Sequence, residues 1–449
     1  MSVRFNGGLA LEHVRMGFRD VWRQGFRWGL GAAGSYAKLL SGAAGRLVLS
    51  LLYFVSVANT LSVDEFGLFA TAASVGIVLS RVGGLGFTSP LYRIATGKKS
   101  LIGVYSAGLI AATLASLPLV AVLGLAFYLA LFSGEIALSS FVAILCAEVL
   151  FWRTLETVCI VNNGMRRFGR GAVIVIMGSS IRALAALAFA LLSDGSLAVW
   201  APVYLGANAL AALLAVALFY PRVRLRWAPR LYLARSRDAV AVAGAEIAFY
   251  LQSELDKLLV LALGGPYTAG IYAILMRLID LTALPVRSAN TLIVQRLMVS
   301  ADWLSSWTKR WTIEGAIAFV SVGAMAAMGI VLQIEPRILG DNVSDAAPFL
   351  LLALLVPAFR NLVEYESELL YARGKTGVRV LILVLLTIIK AGLMSMILMA
   401  DMDGTSWVLG LNGVFATLWL VSAAASYAAY DWTGGRSPRS VSRAPLPGE

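Results

Sequence analysis

Twenty ionisable residues stand inside long apolar stretches of this 449-residue chain, and any chemistry it performs starts with them. The cations are Lys38, Arg46, Arg81, Arg153, Arg182, Lys257, Arg277, Arg287, Arg360 and Lys390. The acids are Glu148, Glu156, Glu246, Glu254, Asp256, Asp280, Glu314, Glu364, Glu366 and Glu368. Covalent catalysis finds little support among the other residue types. His13 is the only histidine, so neither a His-based metal site nor a Ser-His-Asp triad can be assembled. Cys146 and Cys159 share one apolar segment and lie about 20 Å apart along a helix, too far for a disulfide within it. The expectation is a protein without catalytic residues, metal or cofactor, whose buried charge binds something.

The charge is unevenly placed. The first six apolar segments hold five of these cations and two acids, and the last six hold five and eight. Arg46, Arg81 and Arg182 have no acid three or four residues away on their own segment. Each must find a partner on another helix or bind an anion. Arginine suits a phosphate, because its planar fork can bind two oxygens. Arg277, Asp280 and Arg287 fall within about 80° of one another on a helical wheel, and Pro285 can open the helix beside them. The candidate binding cations are therefore Arg46, Arg81, Arg182, Arg277 and Arg287. Arg81 and Arg287 also sit near segment ends, where snorkelling accounts for them equally well. Arg153 with Glu156, and Arg360 with Glu364, have the spacing of structural helical pairs. Glu254, Asp256 and Lys257 are crowded enough to couple an ion, and a salt-bridged contact between lobes would explain them too.

The elements that must position these residues follow from composition. Hydrophobic residues make up 59% of the chain and charged residues 14%, against roughly a quarter charged in an ordinary soluble domain. Twelve apolar segments, each long enough to span a bilayer as a helix, occupy 34–60, 66–88, 101–131, 137–162, 171–193, 197–220, 239–263, 267–294, 311–333, 347–371, 377–400 and 405–430. The N-terminus, the loops after even segments and the tail carry 26 of the 37 Lys and Arg residues, and the intervening loops carry one, Arg337. This split predicts a multi-pass protein of a bacterial inner membrane with both termini cytoplasmic. Most of the net charge of +12 is then orientation, and nucleic acid is not needed to explain it. Residues 9–28 put Val14, Phe18, Val21 and Trp22 on one stripe among arginines, which fits an interfacial helix or a plain basic overhang. Five arginines precede a first long apolar run near residue 32, unlike a cleavable signal peptide.

The halves resemble each other. Gly67-Leu68-Phe69-Ala70 opens segment 2, and Gly270-Ile271-Tyr272-Ala273 opens segment 8. Glu156 and Gly164 near the end of segment 4 have the spacing of Glu366 and Gly374 near the end of segment 10. The reading is an all-α protein of twelve transmembrane helices in two pseudo-symmetric six-helix lobes around a central cavity. Its parts are a cytoplasmic segment 1–31, an N-lobe 32–220, a basic linker 221–237, a C-lobe 238–430 and a disordered tail 431–449.

The stretches ANTLSVDEFGLFATAASVGIVLSRVGGLGFTSPLYR (58–93) and ELDKLLVLALGGPYTAGIYAILMRLIDLTALPV (254–286) resemble bacterial polysaccharide transporters of the Wzx type. These belong to the multidrug/oligosaccharidyl-lipid/polysaccharide exporter superfamily. The resemblance implies translocation of undecaprenyl-pyrophosphate-linked oligosaccharides between leaflets, for exopolysaccharide, O-antigen or capsule biosynthesis. The partners it implies are the lipid-linked glycan, membrane lipids, and a polysaccharide polymerase with chain-length or export proteins. Related lipid II flippases carry cavity arginines on spans 1, 2 and 8, where Arg46, Arg81 and Arg277 stand here. Two alternatives remain: a multidrug exporter of the same superfamily, and a non-transporting component of a polysaccharide assembly complex. Multidrug members mostly use an acid in the first span, where this chain has Arg46 and no acid.

Overall fold

The computed structural model describes residues 45, 47–299, 304, 306–400 and 404–431. The expected interfacial helix, the tail beyond Asp431 and the candidate Arg46 lie outside the described residues. Among the described residues the chain is helical and has no strand. In order, the helices are α1 (Leu47–Thr60), α2 (Val63–Val82), α3 (Thr88–Gly97), α4 (Ile102–Phe127), α5 (Leu138–Cys146), α6 (Arg153–Gly164), α7 (Phe168–Leu192) and α8 (Leu197–Phe219). After them come α9 (Pro229–Leu233), α10 (Ser236–Thr282), α11 (Leu284–Val299), α12 (Trp307–Ile334), α13 (Asp341–Leu350), α14 (Val356–Ala372), α15 (Thr376–Met399) and α16 (Gly404–Asp431).

Eight of these helices are long and apolar enough to cross a membrane unaided. The other expected segments are helical too, in pieces. Segment 1 appears as α1, and segment 4 is α5 and α6 joined through a π-turn at Ala147–Trp152. Segment 10 is α13 and α14, with a turn over 351–355 between them. Pro357, in the first turn of α14, has no N–H to continue a helix through that point. Backbone freed inside a membrane must be satisfied by protein. Asn412 of α16 does this, accepting from Leu355 N at 3.1 Å and donating to Leu352 O at 2.6 Å.

Segments 7 and 8 share the 47-residue α10, whose backbone leaves the helical region at Gly265 (φ 77°, ψ 177°), before Pro266. The chain folds back there. Asp256 and Tyr272 would lie about 24 Å apart along a straight helix, yet the Tyr272 hydroxyl donates to Asp256 at 2.5 Å. Glycine is required at a φ that L side chains rarely adopt.

Each half packs mostly on itself, and α10 against α2 is the main contact between them. The two glycines matched by sequence meet at that contact. A Cβ on Gly67 would lie 2.5 Å from Gly270 N and 2.5 Å from Pro266 O, so the helices cross backbone to backbone. Nearby, Asn342 Nδ2 donates to Ala58 O (2.8 Å) and Leu61 O (2.6 Å), and Asn59 Nδ2 donates to Leu339 O (2.7 Å). These bonds tie the end of α1 to the start of α13 on the face with the acidic loops. A capping box starts α2: Ser62 Oγ accepts from Glu65 N, and Glu65 accepts from Ser62 N. The second Glu65 oxygen accepts from Leu197 N at 2.9 Å, which fixes α8 to α2. Asp431, assigned to the tail from sequence, instead ends α16 and pairs with Arg310 at 2.6 Å.

Candidate functional site

Two charged cavities lie beside the kinked α10, one between the halves and one within the C-terminal half, and Asp280 lines both. The first, of about 210 Å³, is bounded by α1, α2, the π-turn, α7, α8 and both arms of α10. Its charged lining is Glu148, Arg182, Lys257, Arg277 and Asp280. The second, of about 320 Å³, is bounded by α10, α11, α14, α15 and α16. Glu254, Asp280, Arg287, Arg360, Glu364 and Lys390 line it. Together the walls present six cations and four acids.

The first cavity is shaped by Gly76 on α2, where a Cβ would meet Glu148 Cβ at 2.8 Å. That close approach brings the π-turn against α2. A π-turn inserts one extra residue and re-aims side chains. Here it places Glu148 and Trp152 on either side of Arg182. The guanidinium lies 3.6 Å over the Trp152 ring, Nε donates to Asn208 Oδ1 at 2.8 Å, and Nη2 donates to Glu148 at 3.1 Å. Tyr204 donates a short hydrogen bond to the same carboxylate. Arg182 is thus a caged cation.

Arg277 is different. Its Nη2 donates to Ser50 Oγ at 2.6 Å, and no carboxylate of the described residues lies within ion-pair distance of it. Every other cation lining the two cavities is held by an acid. Lys257 pairs with Glu254 at 2.6 Å, and Arg287 pairs with Asp280 (3.1 Å) and Glu364 (3.2 Å). Arg360 faces Asp280 at 3.4 Å, and Lys390 faces Asp256 at 3.6 Å. Of the expected face, Asp280 bridges Arg287 and Arg360, while Arg277 lines only the first cavity and Arg287 only the second.

The remaining sequence candidates divide. Arg81 is buried and bonds both oxygens of Glu156, at 2.8 and 3.1 Å, with its guanidinium 4.0 Å over Tyr250. Its partner is an acid on another helix, and it lines neither cavity. Arg153 bonds Glu156 as its spacing predicts (3.1 Å), and also reaches Glu246 (2.9 Å). The expected Arg360–Glu364 pair does not form: Arg287 takes Glu364, and Arg360 turns to Asp280. The trio Glu254, Asp256 and Lys257 does not form one cluster either. Residues two apart on a helix point to opposite sides. Glu254 and Lys257 face α2, where Ser74 Oγ donates to Glu254 at 2.7 Å. Asp256 is fully buried in the C-terminal half, between Tyr272 and Lys390.

Sequence reasoning assigned no role to Ser50, Ser74, Trp152, Tyr204, Asn208 or Lys390. Lys390 stood out only as one of the segment cations. It is 1% exposed, and its Nζ donates to Gln252 O at 2.5 Å, so it locks α15 to α10.

No protein-family model and no curated protein matches the chain. Solved structures do. An inward-facing multidrug resistance MATE family transporter of the MOP superfamily superposes with TM-score 0.57 at 16% identity, covering 86% of this chain and 96% of that one. An outward-facing MATE family transporter gives 0.52 at 13% identity, over 88% and 94% of the two chains. A MOP superfamily transporter from Pyrococcus furiosus, described by the reverse polarity of its binding pocket, gives 0.57 at 14% identity, over 88% and 93%. The shared property is the fold.

Proposed function

We propose that this chain is a flippase that moves a lipid-linked anion, an undecaprenyl-pyrophosphate-linked oligosaccharide, across the cytoplasmic membrane by alternating access. The observation that carries this reading is the cavity wall: six cations against four acids, with Arg277 bound to a serine hydroxyl alone. A half-buried cation that no carboxylate bonds directly can take a ligand that supplies the negative charge. A pyrophosphate does so, and the guanidinium fork fits two of its oxygens. The polar head occupies the cavities while the lipid tail stays in the bilayer, so no covalent step is needed. Separation of the Gly67–Gly270 crossing would open a path toward the acidic loops. The basic-loop face is cytoplasmic by the positive-inside rule. We assign the link between lobe movement and an ion gradient to Glu254 and Lys257, with Ser74 donating to Glu254 across the halves.

The second reading, a multidrug exporter, is favoured by the fold it shares with multidrug transporters. The two readings differ in the sign of the ligand. Equilibrium binding to the purified protein separates them: undecaprenyl pyrophosphate should bind and be displaced by inorganic pyrophosphate. An organic cation such as ethidium should not compete. Tighter binding of ethidium than of the pyrophosphate would overturn the flippase reading.

A further inference from the structure

A larger compartment lies away from these two cavities, on the outer flank of the N-terminal half. The start of α4, the π-turn with α6, and the end of α8 enclose a groove of about 730 Å³. Its rims are apolar and exposed: Ile110 and Leu114 on α4, and Leu213 and Val216 on α8. It lies in the half of the helices nearest the basic loops, since Ser106 and Leu109 belong to the first turns of α4, and Tyr220 follows α8.

Its deep wall is polar. Arg153 lines it with Thr88, Thr154 and Thr157, and is 8% exposed. The terminal nitrogens of Arg153 are engaged by Glu156 and Glu246, but its Nε has no hydrogen-bond partner.

The mouth is basic and rigidly held. Residues 221–228 leave α8 without helix or turn. Val223 and Leu225 join the groove lining, and the neighbouring Arg222, Arg224 and Arg226 are exposed. This segment is pinned to the first turn of α4. Arg226 N donates to Gly103 O at 3.4 Å, and Arg224 O lies so close to Gly103 that any Cβ there would collide with it. Ser106 and Tyr220 hydroxyls bond at 2.5 Å at the same corner. Orientation in the membrane asks only that the linker be basic. It does not ask for three arginines held in a row at the mouth of an apolar trough.

We propose that this groove holds one anionic phospholipid of the inner leaflet, its acyl chain along the apolar rims and its phosphate beside Arg222, Arg224 and Arg226. The groove shares no lining residue with either charged cavity, so the site is a resident-lipid site and stands whether or not the chain is a flippase. Phosphatidylglycerol carrying a diazirine on its acyl chain tests this with the full-length protein in phosphatidylcholine vesicles. Photolabel should concentrate on 109–114, 150–158 and 212–217. Unlabelled phosphatidylglycerol should displace it at about tenfold lower concentration than phosphatidylcholine. Leu109→Trp with Ala212→Trp, which fills the groove, should cut labelling about tenfold or more. The exposed triple change Arg222→Gln, Arg224→Gln, Arg226→Gln should keep the label and abolish the headgroup preference. Label spread equally over the outer faces of α12 and α15, or equal displacement by both lipids, would show an ordinary annular lipid and overturn the proposal. Stronger displacement by undecaprenyl pyrophosphate would assign the groove to the transported lipid and overturn it too.

Discussion

Arg277 carries the functional reading, and its replacement gives a test with a calculable size. In the free protein the side chain gives one hydrogen bond, to Ser50 at 2.6 Å, and bonds no carboxylate, since the nearby Asp280 is held directly by Arg287 and Arg360. Arg277→Ala therefore strands no buried acid, and folding stability should change little, by about 1 kcal/mol for the lost bond. Ligand binding should change much more. A charge-assisted hydrogen bond contributes about 1.5–3 kcal/mol, and each 1.4 kcal/mol is tenfold in affinity. Pyrophosphate-lipid affinity should fall about 10- to 150-fold. Arg277→Lys should recover part of this, since it keeps the charge and loses the fork. The assay is titration of undecaprenyl pyrophosphate against purified protein, followed by native mass spectrometry, with thermal unfolding measured in parallel. Arg81→Ala is the comparison, because Arg81 lines neither cavity and its loss leaves Glu156 with Arg153 as its remaining partner. Unchanged affinity in Arg277→Ala at normal stability would refute anion binding by this cavity.

Other outcomes follow from the same geometry. Arg182→Ala leaves Glu148 buried beside Tyr204 and should destabilise the fold by about 3–5 kcal/mol, while Arg182→Ala with Glu148→Ala together should cost less than the sum; thermal unfolding of the set checks this. Gly67→Val puts a side chain where Gly270 N and Pro266 O stand and should hold the halves apart at about 1–3 kcal/mol. Its readout is loss of the disulfide that Asn59→Cys with Asn342→Cys should otherwise form. Glu254→Gln should spare the fold and remove the response of transport to an imposed pH gradient, and a response of normal size would exclude this acid from coupling. Asp256→Asn should act on stability, because it leaves Lys390 buried without its charge partner.

The fold was legible wherever its cause is local. Apolar length and loop charge marked all twelve segments, including those that the structure breaks, because both are carried by neighbouring residues. The Gly264-Gly265-Pro266 interruption fell between segments 7 and 8, where the chain turns back. The matched glycines at 67 and 270 were visible as a repeat. That they touch was not, since contact depends on how two distant helices cross. Ion pairing shows the same boundary. Arg153–Glu156 forms at its local spacing, but Arg360 and Glu364, equally spaced, are drawn apart by Asp280 and Arg287 from other helices. The cage around Arg182 left no trace in sequence, because Tyr204 and Trp152 read as ordinary aromatic residues of apolar helices. Nor did the five candidate cations announce which would be paired. Of the four described, Arg81, Arg182 and Arg287 found acids across helices, and Arg277 did not.

Lipid movement itself is the most direct measurement. The protein is reconstituted in vesicles carrying a fluorescent undecaprenyl-pyrophosphate oligosaccharide, and an impermeant reagent that quenches only the outer leaflet is added. Transport by this chain should let quenching proceed beyond the outer-leaflet fraction, and Arg277→Ala at equal protein density should slow the second phase at least about tenfold. Quenching that stops at the outer-leaflet fraction, as in protein-free vesicles, would contradict the account.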